Sequence, residues 1–351
     1  MRKLKVVLTA CGCPGASTLI HMLQNNGERS IEVIGTDMDE EAVGRFLTKR
    51  FYKVPPGDSP EYIPRMLEII EKESPDVLFP ESSNEVLPLA LNKEEIEGFG
   101  TKVLVSDPEP IVLSNNKYRM YERLHSKTKI TLPRYISVAS LDEFLNAAEK
   151  LGYPENPVIF KPHIGKGSRG VRIIDSRVNR RQHLMEKKPT SKYISLEEIQ
   201  TIFSNQTNFP KLLLMEFIEG MERTTDTLAL EGRELLTTVK TVEQARWGVI
   251  VRGQLVQQPA LVEQTRVILK AIPLSYCVNL QFIEDKLIEI NPRVSTFIYQ
   301  SDLIAPYLAI RLALGELTEE DVRRYKTKID YGRRMVRYMD QLFHKGGRRI
   351  E

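Results

Sequence analysis

Hydrophobic and polar positions along the first third of the chain alternate between two patterns. An apolar run over 5–10 is followed by a glycine-containing turn, a helix-period stretch from about 17 to 25 and a second apolar run over 31–35. Short apolar runs of this kind read as strands, and the 3.6-residue period between them marks a helix. Further strands are expected at 75–80 and 102–105, with helices near 62–72 and 86–92. Strictly alternating strands and helices predict a parallel, doubly wound α/β sheet ending near Pro108-Glu109-Pro110. From Asn115 the pattern changes. Apolar, β-rich runs at 157–161, 212–217, 225–230 and 278–283 predict a mixed α+β domain. The span 176–211 is polar and charged, with helical periodicity only around 196–203, and reads as a mobile excursion or a small lid. No internal repeat or low-complexity tract is present.

Composition narrows the class. With 351 residues, 41% hydrophobic and 28% charged, the chain can build two or three packed units. No apolar stretch reaches the roughly 18 residues of a membrane span. The start runs directly into a strand pattern without a cleavage site, so a cytoplasmic, soluble protein with no membrane partner is expected. Cys11, Cys13 and Cys277 are too few and wrongly spaced for a disulfide framework or a zinc site, which takes about four ligands in paired clusters. The net charge of +3 does not call for a nucleic-acid partner, and the basic residues of the C-terminal tail, Arg323 to Arg349, read as solvated surface.

Four segments carry candidate chemistry. The first is the strand containing Lys161, followed by Gly165-Lys166-Gly167-Ser168-Arg169-Gly170. A lysine in a buried strand needs a partner, and alternate glycines let backbone N–H groups approach an anion. The loop is not a Walker motif, because Lys166 lacks the glycine spacing and the following Ser or Thr. A plain hairpin loop would show the same glycines without the lysine. The second is Gln281 to Arg293. Glu284-Asp285 forms a turn between two apolar strands, so Gln281 and Glu289 can lie opposite each other, while Glu289, Asn291 and Arg293 share one face. Oxygen donors with a single charge suit Mg²⁺ shared with substrate phosphates, and an adjacent arginine suits developing phosphoryl charge. A solvent-facing hairpin would alternate in the same way. The third, 212–220, is an apolar strand ending in Glu216-Phe217-Ile218-Glu219-Gly220, then Glu222 and Asp226; its end can read an adenine edge, and acidic strand ends are also common. The fourth is the 10–17 turn with Asp37 about 20 residues on, where a dinucleotide fingerprint places its acid. Pro14 stands where that fingerprint needs a glycine, which argues against an NAD-linked oxidoreductase.

In this order, Ser114-Asn115-Asn116-Lys117-Tyr118, Lys161 with its glycine loop, Glu216 to Glu222, and Glu289-Ile290-Asn291-Pro292-Arg293 resemble the ATP-grasp superfamily, in particular a single-copy carbamoyl-phosphate-synthase-large-chain-like protein. The resemblance covers the chain from the first strand to about Leu314. It implies a Rossmann-like pre-ATP-grasp domain over 1–110, an ATP-grasp domain over 111–315 with 176–211 as a lid or insertion, and a basic segment over 316–351 packing on the ATP-grasp domain. It implies ATP and Mg as cofactors. Lys117 and Lys161 would hold nucleotide phosphates under the loop of Gly165, Lys166, Gly167, Ser168 and Gly170. Glu216, Phe217 and Ile218 would meet adenine, largely through backbone, and Glu222 the ribose. Gln281, Glu289 and Asn291 would bind metal, with Arg293 and Lys161 as the catalytic side chains and Asp226 in support. The activity implied is an ADP-forming carboxylate-amine ligase working through an acyl phosphate on small-molecule acids and amines, in a homodimer. An ATP-binding sensor without catalysis is the alternative within the same fold. Only one copy is present and no amidotransferase cysteine motif accompanies it, so complete carbamoyl phosphate synthesis is not expected. Cys277 and Thr296-Phe297-Ile298-Tyr299 depart from the family pattern around the acceptor pocket. Arg246, beside Trp247, is the candidate holder of the substrate carboxylate, and an arginine packed on a tryptophan at the surface fits equally well.

Overall fold

The five residues of β1 (Leu4–Leu8) are apolar except for Lys5, and Leu4, Val6, Val7 and Leu8 are all fully buried. Burial on both faces is what a central strand of a parallel sheet requires. Its neighbours are β2 (Ile31–Asp37), β3 (Arg50–Lys53), β4 (Val77–Phe79) and β5 (Lys102–Val103), in the order β3-β2-β1-β4-β5 and parallel throughout. Helices cover the faces. Ala16–Gln24 buries Ala16, Leu19, Ile20 and Leu23, a single stripe at helical spacing. Tyr62–Glu73 buries Tyr62, Met66, Ile69 and Ile70 and stops at Ser74, whose φ of 45° is left-handed.

The computed structural model describes residues 2–165, 167, 169–186, 192–204, 208–246 and 249–350. It divides into two compact units, one of Met1–Ser114, Met221–Phe282 and Glu289–Glu351, the other of Asn115–Gly220 and Ile283–Ile288. The fold class is the one read from the sequence: a parallel, doubly wound sheet followed in the chain by mixed α+β structure with antiparallel sheets.

In the second unit, β6 (Tyr135–Val138), β7 (Val158–Pro162), β8 (Arg172–Ile174) and β9 (Leu212–Glu216) form an antiparallel sheet in the order β6-β9-β7-β8. Its core gathers Val158, Phe160, Ile174, Leu212 and Leu214 around Phe144, which meets Phe160 edge-on at 5.4 Å. Phe144 is presented by the helix Leu141–Lys150, whose N-cap Ser140 accepts a hydrogen bond from the Glu143 N–H.

The first unit also holds a larger antiparallel sheet. It is built on β10 (Glu222–Leu230) and β11 (Arg233–Thr241), joined by Glu231-Gly232, both at positive φ. That conformation is the turn a two-residue hairpin favours. The remaining strands are β12 (Gln244–Arg246), β13 (Val249–Val256), β14 (Tyr276–Ile283) and β15 (Lys286–Asn291) in the order β12-β13-β11-β10-β14-β15, with β16 (Arg334–Val336) paired to β13; of β14 and β15, residues 283 and 286–288 are counted in the second unit. One face meets the helix Pro259–Ala271, where Thr265 donates to the Thr225 hydroxyl at 3.1 Å. Leu228, Leu236 and Cys277, on β10, β11 and β14, join the buried helix Ala305–Ala313 and the β1 and β2 side chains in one core. Among the described residues no helix is long and apolar enough to cross a membrane.

Candidate functional site

The candidate residues fall into two groups, one in each unit. In the second unit Lys117 opens the helix Lys117–Lys127, capped by the Asn116 side chain, which accepts from the Arg119 N–H. Its backbone N–H donates to the His163 carbonyl at 2.8 Å and its ammonium to the Gly165 carbonyl at 3.0 Å. Lys161 lies on β7 opposite Leu213 of β9. Both lysines are only 5% exposed, so two cationic side chains are held in the interior beside the start of a glycine loop. Gly167 and Gly170 have φ of 61° and 75°, and a Cβ on Gly170 would come within 2.6 Å of Pro162 Cγ. Gly170→Ala is therefore expected to cost about 1–2 kcal/mol from the left-handed backbone alone, read as a lower urea midpoint at unchanged slope. Lys166 and Ser168 lie outside the described residues, as does Trp247; Arg246 is exposed on β12.

At the end of β9, Glu216 is tied into the protein. It accepts from Lys286 Nζ at 2.6 Å and from Arg134 Nε at 2.8 Å. Burial pushes its carboxyl up, but the hydrogen bonds from Arg134 and Lys286 outweigh this and hold it at about 2. The Phe217 N–H donates to the Pro157 carbonyl at 3.3 Å. The side chain of Glu216 is thus spent on structure.

In the first unit Gln281 lies on β14 and Glu289 and Asn291 on β15, with Glu222 at the start of β10. The Asn291 amide donates to Asn279 Oδ1 at 3.4 Å, and Asn279 donates in turn to Asp226 Oδ1 at 2.9 Å and to the Thr225 carbonyl. Asp226 also accepts from Lys240, an ion pair whose two side chains are essentially without solvent contact. Burial raises the Asp226 carboxyl, against the pull of Lys240 and Asn279. Lys240 makes a second donation, to the Thr296 carbonyl at 2.7 Å, and so ties the segment after Arg293 to the same pair. Arg293 donates through Nε to Ser83 Oγ at 2.8 Å and through Nη1 to the Val294 carbonyl at 2.7 Å.

Ser83 belongs to the loop after β4, and the carboxyl ends of β1 and β4 are where this sheet's strand order reverses, the place where open α/β sheets bind ligands. Two carboxyls that sequence reasoning passed over are buried there. Glu81 accepts from the Cys13 thiol at 3.1 Å and Glu85 from the Thr9 hydroxyl at 2.5 Å. Burial pushes Glu81 up to about 8, against the pull of Cys13 and Arg293, and Glu85 up to about 7. Their signal in the sequence was slight: two acids four apart just past a strand.

The consequence for pH has a definite sign. Glu81 keeps its proton in the native state between its ordinary 4.5 and about 8, where the unfolded chain has released it. Stability is therefore lost as pH rises through that window. Melting temperatures at pH 5.5 and 8.5 are expected to differ less in Glu81→Gln than in the wild type; equal differences would contradict the burial of this carboxyl.

Asp37 closes the fourth sequence candidate. Its two oxygens accept the Gly12 N–H at 2.7 Å and the Asp39 N–H at 2.9 Å, so it serves the 10–17 turn itself.

Residues 6–104 match the family described as PylC-like, N-terminal domain, and residues 208–335 the family described as ATP-grasp in the biosynthetic pathway with Ter operon. Over residues 208–335 the chain belongs to the ATP-grasp superfamily. The chain is 24% identical over 272 residues to the carbamoyl phosphate synthase large chain of Clostridium botulinum strain Kyoto, covering 72% of this chain and 23% of that one. It is 33% identical over 105 residues to the formate-dependent phosphoribosylglycinamide formyltransferase of Pyrococcus furiosus, covering 30% and 23%. The chain thus spans less than a quarter of these relatives' length. Its fold is shared with the biotin carboxylase domain of the Hydrogenobacter thermophilus 2-oxoglutarate carboxylase, solved as a dimer with MgADP and bicarbonate, at a TM-score of 0.61 and 20% identity over 92% of this chain and 73% of that one.

The donor set bears on metal identity. Among the described residues no group of three or more His, Cys, Asp or Glu could form a cage. The ATP-grasp candidates are one carboxylate, Glu289, with the amide oxygens of Gln281 and Asn291, and the Asn291 oxygen accepts no hydrogen bond among the described residues. Hard oxygen donors with little charge fit a Mg²⁺ whose shell is completed by phosphates.

Proposed function

We propose that this chain is an ATP- and Mg-dependent carboxylate-amine ligase acting through an acyl phosphate. The observation that carries the reading is the polar end of the sheet formed by β10, β11, β14 and β15. There a buried hydrogen-bonded chain ends at Asn291 beside Glu289, and Arg293 follows two residues on.

In the proposed reaction an oxygen of the substrate carboxylate attacks the γ-phosphorus of ATP, and the bond to the ADP oxygen breaks with its electron pair. An amine nitrogen then attacks the carbonyl carbon, inorganic phosphate leaves, and the amine's proton passes to solvent, giving amide, ADP and phosphate. The transferred group spreads charge over its oxygens, so the protein's work is positioning and neutralisation. Lys117 and Lys161 hold the phosphates, the loop of Gly165, Gly167 and Gly170 covers them, and Ile218 and Glu222 receive the adenosine. Arg293 steadies the transferred phosphoryl group. Gln281, Glu289 and Asn291 would hold Mg²⁺, which when bound would supply charge neutralisation for the phosphates. The Hydrogenobacter neighbour is a dimer; a homodimer is proposed here, to be checked by sedimentation.

The test is ADP release over a panel of carboxylates and amines, with hydroxylamine added to trap an acyl phosphate as a hydroxamate. Carboxylate-dependent ADP release with hydroxamate formation is expected. Full activity in Glu289→Ala would sink the site assignment.

A further inference from the structure

Asn291 is an amide, and only one of its two side-chain ends can serve a cation. The hydrogen bonds around it decide which end is turned where. The Lys240 ammonium has donors only, so the Asp226 carboxylate it pairs with is an acceptor. The Asn279 group 2.9 Å from Asp226 Oδ1 must then be its NH₂, because the reverse orientation would set a carbonyl oxygen against a carboxylate oxygen. This turns Asn279 Oδ1 toward Asn291 and requires the Asn291 NH₂ to face it, at 3.4 Å. The carbonyl oxygen of Asn291 is left on the other side, accepting no hydrogen bond among the described residues. Thr224, paired with Lys240 across β10 and β11, adds a buried hydroxyl that also has no partner among the described residues.

We infer that Lys240, Asp226 and Asn279 form a relay of hydrogen-bond polarity whose role is to turn the Asn291 carbonyl oxygen toward a divalent cation bound with the nucleotide. The inference rests on the metal-site reading of Asn291 given above. Asn279 and the ion pair are positioning residues: they touch neither metal nor substrate and act by removing the wrong orientation of one amide. Groups behind metal ligands typically change metal affinity by about 10- to 100-fold when removed.

The experiment compares ADP affinity with and without Mg²⁺ by calorimetry, a readout independent of turnover. In Asn279→Leu, similar in volume, the gain in ADP affinity produced by Mg²⁺ is expected to fall by about tenfold, while metal-free ADP affinity holds. Adding Asn291→Asp to Asn279→Leu is expected to restore the gain, because both ends of a carboxylate are oxygens and need no orienting. Asn291→Leu is expected to lose the gain in either background. If Asn279→Leu keeps the full gain while Asn291→Leu loses it, the relay is refuted and the ligand reading stands. If Asn291→Leu keeps it, the ligand reading itself fails. Failure of Asn291→Asp to restore the gain would attribute the loss to a disturbed sheet and overturn the relay. Should Asn279→Leu not fold, Asp226→Asn, which removes the charge that sets the relay's direction, is tested with the same rescue and judged by the same outcomes.

Discussion

Replacing Lys240 with methionine is expected to destabilise the protein by about 3–5 kcal/mol, the cost of leaving a buried carboxylate without its counter-charge. Lys240 and Asp226 have essentially no solvent contact. The lysine is also the donor to the Thr296 carbonyl, which would be left without that hydrogen bond. Removing both charges tells a different story. In Asp226→Leu with Lys240→Met no buried charge remains, and such replacements are often neutral or stabilising by about 1–4 kcal/mol relative to the ion pair. The double variant should therefore recover part of the loss, short by about 1 kcal/mol each for the Asn279 donor that loses its better acceptor and the Thr296 carbonyl that stays without the lysine. Urea midpoints of the wild type, the single variant and the double variant check this. A single variant within about 1 kcal/mol of the wild type would mean that water reaches the pair, against its burial.

The second large effect is kinetic. Arg293 is held by its Nε to Ser83 and by Nη1 to the Val294 carbonyl, an arrangement that fixes the plane of the guanidinium. Under the proposed function it meets charge that grows during phosphoryl transfer, and removing one such preorganised donor costs about 10²–10³ in turnover. Arg293→Ala should show that loss in kcat with little change in the KM for ATP, the signature of an interaction made mainly in the transition state. Arg293→Lys should recover little, because an ammonium cannot reproduce the planar fork. Ser83→Ala, which removes only the anchor, should lose roughly fivefold, the worth of about one hydrogen bond. ADP release with the substrates found by the panel measures all three, and unchanged turnover in Arg293→Ala would remove the arginine from the reaction.

Local patterns announced the parallel sheet well. The LKVVL run of β1 and the stripe of Ala16, Leu19, Ile20 and Leu23 carry their burial within a few neighbouring residues, where sequence can be read directly. The β14 to β15 hairpin was equally visible, because Glu284-Asp285 interrupts two apolar runs and Glu284 takes the positive φ such a turn needs. Long-range pairing was not. Asp226 and Lys240 stand 14 residues apart and meet only because the register of β10 and β11 sets Thr224 opposite Lys240, with a shift between Leu228 and Ala229 that no periodicity announces. Without that register Lys240 is a lone lysine among threonines and valines. Glu216 shows the same limit: Arg134 and Lys286, which occupy its side chain, lie 82 and 70 residues away. Glu81 and Glu85 looked like ordinary acids past a strand end, since their burial comes from packing at the β1 and β4 ends. The helix Ala305–Ala313 escaped notice for a related reason. It is buried for most of its length and so lacks the one-sided pattern that marks a surface helix.

The central claim is that Glu289 and its neighbours on β15 form the metal side of an ATP site, and it can be tested before any substrate is known. ADP is titrated into the wild type and Glu289→Ala, each with and without Mg²⁺. The prediction is that Mg²⁺ tightens ADP binding by about tenfold or more in the wild type, that the tightening disappears in Glu289→Ala, and that metal-free binding is the same in both. Nucleotide binding that ignores Mg²⁺, or a Mg²⁺ effect that survives intact in Glu289→Ala, would contradict it.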